Sequence, residues 1–325
     1  MRFPLPTGDL TLPDAATVVE MLPRDGFQNH DSFVPTDEKV AIVDDLSTTG
    51  VDEIEVTAFA HPKAVPNLRD ADEVAARIDR RDDVVYRALV PNDVGMERAI
   101  DAEIDKVNAL ITVSETYAAE NQNMTPAEIL EEIRTIVGMA SDHDVVVEAG
   151  IGTSFFCPYE GRIPREDTLD VVEGVVDAGV DEITLATTMG MADPVQVADM
   201  LTAVYGRWPD IDCGLHLHDT NGLGLANTLA ALECGVDRFD SSVCGLGGGV
   251  VLPEGLRGVG NTPTEDLVNA LRSMGIETGI DFRRLVETAE SVSHRLDIEP
   301  WSHVLMGGTP ENVLSTVEAA DRSGG

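Results

Sequence analysis

Short apolar runs alternate along the chain with longer stretches whose apolar residues recur every three or four positions. The runs "TVVEML" (17–22), "DEIEVTAF" (52–59), "VVYRALV" (84–90), "KVNALITV" (106–113), "VVVEAGI" (145–151), "DEITLAT" (181–187), "CGLHLH" (213–218) and "RFDSSVCG" (238–245) read as strands. Each is followed by a helical pattern: 36–50, with Thr36 as N-cap and Gly50 as terminator, then 70–78, a helix within 93–102, 125–143 capped by Thr125, within 164–178, near 194–207, 224–235 and 264–275. The phrases "TTGVDEIEV", "DAGVDEITL" and "ECGVDRFDS" mark one recurrent joint, in which a glycine ends a helix and a strand begins. Strands alternating with helices predict a parallel sheet. Eight such units in about 250 residues predict an α/β fold, a TIM (β/α)8 barrel, rather than an open sheet. The expected organisation is one domain: a barrel over about 15–277, an additional C-terminal helix over about 281–296, and a polar tail over 297–325.

Composition changes this picture in one respect. Of 325 residues, 43% are hydrophobic, as in a folded protein, but 22 basic residues face 59 acidic ones, a net charge of −37. The lysines are Lys39, Lys63 and Lys106; every other base is arginine. Such an acidic surface repels nucleic acid and anionic membranes, so neither is an expected partner. At molar salt the Debye length falls to about 3 Å and self-repulsion is screened, so the acid excess reads as adaptation to a salty cytoplasm. Cys157, Cys213, Cys234 and Cys244 show no C-x-x-C spacing, which argues against a zinc knuckle or a disulfide framework. The opening "MRFPLPTGDLTLP" lacks the apolar core of a signal peptide, and no apolar run reaches membrane-spanning length, so a cytoplasmic location is expected.

The candidate chemistry gathers where a barrel would place it, at the carboxyl ends of strands. In "HLHDTNG", His216 and His218 lie two apart in a strand and so point to one face. Arg24 and Asp25 follow the first strand, Glu55 lies toward the end of the second, and Asn261 follows the eighth in "GVGNTPTED". Singly, each has a structural reading: an aspartate in a turn, a Glu55–Arg24 salt bridge, a turn-forming asparagine, a core histidine. Together, a carboxylate, two imidazoles and an amide oxygen suit a divalent ion with positions left for substrate.

These residues also carry a resemblance. The stretch from "VVEMLPRDGFQN" to "NLRDADEV" resembles the opening of hydroxymethylglutaryl-CoA lyases, and the likeness continues through "CPYEGRI", "HLHDTNGLGLANTLAALECGV", "DSSVCGLGG" and "GNTPTEDLV", over roughly residues 15 to 297. Related isopropylmalate and homocitrate synthases carry H-x-H-N-D and "GERAGN", which are absent here. The resemblance implies that Asp25, His216, His218 and Asn261 hold Mg²⁺ or Mn²⁺, and that Arg24 neutralises the oxygen made negative by carbon–carbon cleavage. It places Glu55 as an acid near the metal, Gln28 in the first loop, and Cys157 in "CPYEG" over the acyl-CoA. It implies a homodimer and release of acetyl-CoA and acetoacetate from 3-hydroxy-3-methylglutaryl-CoA. Two family residues are replaced: the loop cysteine after "GLGG" by Gly249, and the aspartate after strand six by Thr187, in a substrate-contacting position. The proton-transfer groups would then be His216, Glu55 or Cys244. Two alternatives stand beside this reading: a related aldolase or acyl-transferase acting on another acyl-CoA or 2-oxo acid, with Leu252, Leu256 and Arg257 selecting substrate, and an acyl-CoA- or metal-binding protein with little activity.

Overall fold

The computed structural model describes residues 10–248 and 260–315. Its strands are β1 (Thr17–Glu20), β2 (Glu53–Ala58), β3 (Val85–Leu89), β4 (Lys106–Thr112), β5 (Val146–Gly152), β6 (Phe156–Cys157), β7 (Gly161–Arg162), β8 (Glu182–Ala186), β9 (Asp212–His216) and β10 (Arg238–Ser241). The helices are α1 (Phe27–Asn29), α2 (Thr36–Ser47), α3 (Ala71–Arg77), α4 (Asp93–Asp101), α5 (Glu115–Gln122), α6 (Pro126–Ala140), α7 (Arg165–Ala178), α8 (Pro194–Arg207), α9 (Gly224–Glu233), α10 (Thr264–Met274), α11 (Phe282–Leu296) and α12 (His303–Gly307). Eight strands close into a barrel in the order β1-β10-β9-β8-β5-β4-β3-β2. All eight pairings are parallel; β4 and β5 match over the full run from Lys106↔Val146 to Thr112↔Gly152, and β1 closes the ring by pairing with both β10 and β2.

Period-two alternation divides each strand between two environments. The outward row, including Ile54, Tyr86, Val107, Val147, Ile183 and Leu215, is buried under the helices and forms the main apolar core. The inward row is polar, and this is where the molecule departs from a barrel filled with branched aliphatic side chains.

The helix signals hold with small shifts. Thr125 caps α6 in a reciprocal box with Glu128, and Asp193 does the same for α8 with Gln196. At α2 the cap position belongs to Pro35; Thr36 opens the helix instead, and its hydroxyl donates to Asp70 Oδ2 at 2.8 Å. Gly50, at φ +85°, makes the turn into β2, where a Cβ would come within 2.7 Å of the Gly279 carbonyl oxygen. Strand one stops at Glu20, and Leu22–Gly26 forms a single π-helical turn. Strand seven stops at His216; His218 lies beyond it, in an antiparallel bridge to Asn261. Helices α5 and α12 and the β6–β7 hairpin carry no signal in the sequence patterning above. Among the described residues, no helix is long and apolar enough to cross a membrane.

Candidate active site

The barrel floor is a lattice of ion pairs. Arg87, fully buried, donates from Nε to Glu55 Oε2 and from Nη2 to Glu148 Oε1, both at 2.9 Å. Arg238 reaches Glu148 at 2.5 Å, and Lys106 bridges Glu53 and Glu182 at 2.7 and 2.8 Å. Each buried charge has an opposite neighbour, the condition under which a charge is tolerated away from water.

One layer higher, four predicted residues converge. Asp25 is presented by the π turn, His216 by the end of β9, and His218 and Asn261 by the bridge between their segments. Ligand atoms of Asp25, His216 and His218 lie within 4.8 Å of one another. Asn261 Nδ2 donates to Asp25 Oδ2 at 2.6 Å. The loop after β10 presses on the same carboxylate: Gly248 N–H donates to Asp25 Oδ2 at 3.1 Å, and a Cβ at Gly247 would collide with Asn261 Nδ2 at 2.3 Å.

The hydrogen bonds decide which atoms are left over. His218 Nδ1 lies 2.6 Å from the Thr188 carbonyl oxygen, which only accepts, so Nδ1 carries the proton and Nε2 a lone pair. His216 Nδ1 donates likewise to Asp240 Oδ2 at 3.0 Å. The two Nε2 atoms then face each other at 3.0 Å, lone pair to lone pair. Asn261 Oδ1 is buried with no donor near it among the described residues. Two imidazole lone pairs facing each other and an amide oxygen without a donor, beside an ionised carboxylate, suit a divalent cation. The electrostatics agree. Burial opposes ionisation of Asp25, but the Arg24 guanidinium and the hydrogen bond from Asn261 outweigh it and hold the carboxyl well below its usual range. Burial and the neighbouring His216 push His218 down to about 4, which keeps it a neutral ligand.

Arg24 borders the same space. Its Nη1 donates to Asp25 Oδ1 at 2.9 Å and its Nε to Glu55 Oε1. Glu55 is fully buried, and its second oxygen accepts from Arg87 and Asn108, so it sits under the cavity as the anchor of Arg24 rather than on the wall. Gln28 is on the wall of the cavity, which measures about 370 Å³. Three other expected residues are placed elsewhere. The Thr187 hydroxyl accepts from His218 N–H at 3.1 Å and fixes that ligand's backbone, while its neighbours Ala186 and Thr188 face the cavity. Cys157 is sealed in a small cluster with Tyr117 and Ile163, its thiol donating to Ser114 Oγ at 3.1 Å; it braces Tyr117, which does line the cavity. Cys244 is buried beneath α11 with its thiol toward the Ala289 carbonyl oxygen at 3.3 Å, and burial pushes that thiol far up. Gly249, Leu252, Leu256 and Arg257 lie outside the described residues.

Several residues of the site were not singled out from the sequence. Asp240, in "RFDSS", orients His216. His61, in "AFAHPK", lies at the rim; its Nδ1 accepts from Lys63 N–H at 3.1 Å, and no described group bonds its Nε2. Thr112, Gln122, Gly150 and Gly152 form the wall across from the cation set. The inward period of β10 points to Asp240, and that of β4 and β5 to Thr112 and the two glycines.

Comparison with known proteins agrees with the geometry. The HMGL-like family profile matches residues 15–292. The chain is 37% identical to hydroxymethylglutaryl-CoA lyase YngG of Bacillus subtilis over 284 residues, 87% of this chain and 94% of that one. It is 36% identical to the mitochondrial hydroxymethylglutaryl-CoA lyase of Homo sapiens, over 90% of each chain. Among solved structures, the B. subtilis HMG-CoA lyase superposes with a TM-score of 0.88 at 36% identity, covering 91% of this chain and 99% of that one. An HMG-CoA lyase from A. baumannii, solved with coenzyme A and 3-methylmalate, gives 0.86 at 38% identity, covering 91% of this chain and 96% of that one. With a closed parallel barrel, a carboxylate and two imidazoles converging at its mouth and these likenesses over nearly its whole length, the chain belongs to the hydroxymethylglutaryl-CoA lyase family.

Proposed function

We propose that this protein is a divalent-cation-dependent lyase that cleaves 3-hydroxy-3-methylglutaryl-CoA to acetyl-CoA and acetoacetate. The observation that carries the reading is the convergence of the Asp25 carboxylate and two imidazole Nε2 lone pairs that face each other, set beside the Arg24 guanidinium in one cavity, with the unpartnered Asn261 Oδ1 bonded to the same Asp25 through its amide nitrogen. These four residues would hold Mg²⁺ or Mn²⁺, as their oxygen and nitrogen donors suit either ion. When bound, the cation polarises the substrate's hydroxyl and later carbonyl oxygen.

The chain's own groups supply the rest. Arg24, pinned by Glu55 and Asp25, holds fixed positive charge beside the oxygen that becomes a ketone. Asp240 keeps the His216 ring in the tautomer that leaves Nε2 free for the cation. Thr187 does the equivalent for the backbone of His218. The hydroxyl proton is lost to solvent as the bond between the carbon bearing the thioester carbonyl and the hydroxylated carbon breaks, and that bond's electron pair becomes a thioester enolate that must take a proton. His61 is the cavity imidazole outside the cation set and lies at the rim; once it takes up a proton from solvent, which releases the Lys63 N–H from Nδ1, its Nε2–H can deliver the enolate's proton and return the ring to neutral. The net charge of −37 supports a working environment of concentrated salt, which we read as a salty cytoplasm.

The test is acetoacetate release from 3-hydroxy-3-methylglutaryl-CoA at molar KCl with and without Mg²⁺ or Mn²⁺. Cation-dependent release is expected. Turnover only of another hydroxyacyl-CoA or a 2-oxo acid would overturn the substrate; binding of acyl-CoA without turnover of any member of such a panel would overturn the activity.

A further inference from the structure

Asn67 is not part of the cavity wall, yet its side chain grips the loop that leads away from Asp25. It sits in the short 3-10 turn Pro66–Leu68. The stretch from His61 into this turn is tied by its own backbone: Ala64 and Val65 N–H donate to the His61 carbonyl oxygen, and Leu68 N–H to that of Val65. Asn67 Nδ2 donates to the Gln28 carbonyl oxygen at 3.2 Å and to the His30 carbonyl oxygen at 2.8 Å. Both partners only accept, which fixes the amide with its nitrogen toward the loop and uses both of its hydrogens. The residue between those two carbonyls is Asn29. Its Nδ2 donates to the Asp25 carbonyl oxygen at 2.7 Å and, at 3.4 Å, to Asp25 Oδ1. One amide from a distant segment therefore holds the backbone on either side of the side chain that steadies Asp25.

The grip is built at both ends. Lys39, one of the chain's three lysines, is buried, and its ammonium donates to the Asn67 carbonyl oxygen and to Asp70 Oδ1, both at 2.5 Å. The same ammonium lies 4.3 Å from the centre of the Phe33 ring, and the Arg69 guanidinium 3.4 Å from it. A compact ammonium, with three donors on one atom, meets carbonyl, carboxylate and ring together. Phe33 closes the loop that Gln28 opens, so the loop is tied at its start by Asn67 and at its end by two cations over an aromatic ring. We infer that Asn67 is a positioning residue: it holds Asn29 against Asp25, and so sets the affinity of the cation site without touching the cation. The inference rests on the proposed cation site, and its test does not need turnover.

The experiment titrates Mn²⁺ into the substrate-free protein by calorimetry at molar KCl. Asn29→Ala and Asn67→Leu should each weaken Mn²⁺ binding by about 10-fold, the cost of removing a group that supports a ligand. Asn67→Gln, which keeps the donating amide, should regain most of that loss. If Asn67 acts through Asn29, the two losses do not add, and the double variant should stay near about 10-fold instead of about 100-fold. Asn67→Ala removes the same donors without an apolar branch and is measured in parallel, so a folding failure of the leucine variant leaves the question decidable. Unchanged Mn²⁺ affinity in a folded Asn67 variant, even with a lowered melting temperature, overturns the inference and makes the amide a staple for the loop alone. Full additivity in the double variant overturns it too. If wild type binds Mn²⁺ and cleaves no thioester, the proposed activity fails while the affinities still decide the role of Asn67. If wild type binds no Mn²⁺, the cation site and the inference fall together.

Discussion

The floor of the barrel and its mouth are both rich in buried polar groups, and they differ in one respect. On the floor, Arg87, Lys106 and Arg238 are matched against Glu53, Glu55, Glu148 and Glu182. At the mouth, the His216 and His218 Nε2 atoms face each other acceptor to acceptor, and Asn261 Oδ1 is buried without a donor among the described residues. Matched burial is what folding alone requires. Unmatched burial costs stability and persists where something other than the chain completes it. The contrast rests on the paired imidazole lone pairs and Asn261 Oδ1, since Asp25 is itself hydrogen-bonded and Glu53 Oε2 on the floor lacks a hydrogen bond among the described residues.

Substitutions can break or sharpen that division. The largest effect should come from the floor: Arg87→Ala leaves Glu55 and Glu148 without their central partner and should cost about 3–5 kcal/mol in denaturant unfolding. A loss under about 1 kcal/mol would mean the lattice is no more structural than the mouth. At the mouth, His218→Ala should reverse the pattern. Cation affinity by calorimetry should fall by more than about 100-fold, beyond what removal of a ligand's supporting partner costs, while cation-free stability stays equal or rises. A large cation-free destabilisation would show that this histidine belongs to the scaffold. Asp240 joins the two regions, 3.7 Å from Arg87 and 3.0 Å from His216. Asp240→Asn should weaken cation binding by about 10-fold and stability only slightly; the opposite ranking would assign Asp240 to the floor.

The smallest effect is a pH dependence outside both regions. Glu265 is buried at the start of α10 and accepts from Cys244 N–H at 3.1 Å; burial outweighs that bond and raises its pKa from 4.5 to about 8. Between those values the native state holds a proton that the unfolded state has lost, so stability falls as pH rises, and the loss is complete above about 8. Glu265→Gln should therefore gain in melting temperature relative to wild type as pH goes from 5 to 9. A difference that does not vary with pH would show that Glu265 does not titrate in this way.

Much of the fold was legible because each strand–helix unit carries its own punctuation. The Gly-Val-Asp joints and the capping threonine at 125 are local signals, and they located the barrel strands within a few residues. What was missed is non-local. Two-residue strands such as Phe156–Cys157 have no periodicity to detect, and the π turn after Glu20 differs from an ordinary turn only in its hydrogen bonding. The convergence of Asp25, His216, His218 and Asn261 was legible because the closed ring converts strand ends into neighbours. Cys157 and Cys244 misled because a thiol near a site by sequence can face the outer layer. Asn67 was illegible for a further reason: a side-chain amide becomes informative only when the carbonyls it reaches can be seen.

The ion-pair lattice has one more consequence. Because salt-linked side chains plug the cylinder from below, the recess above them is closed on that side among the described residues, and a molecule seated against Asp25 and the histidines would leave toward the mouth.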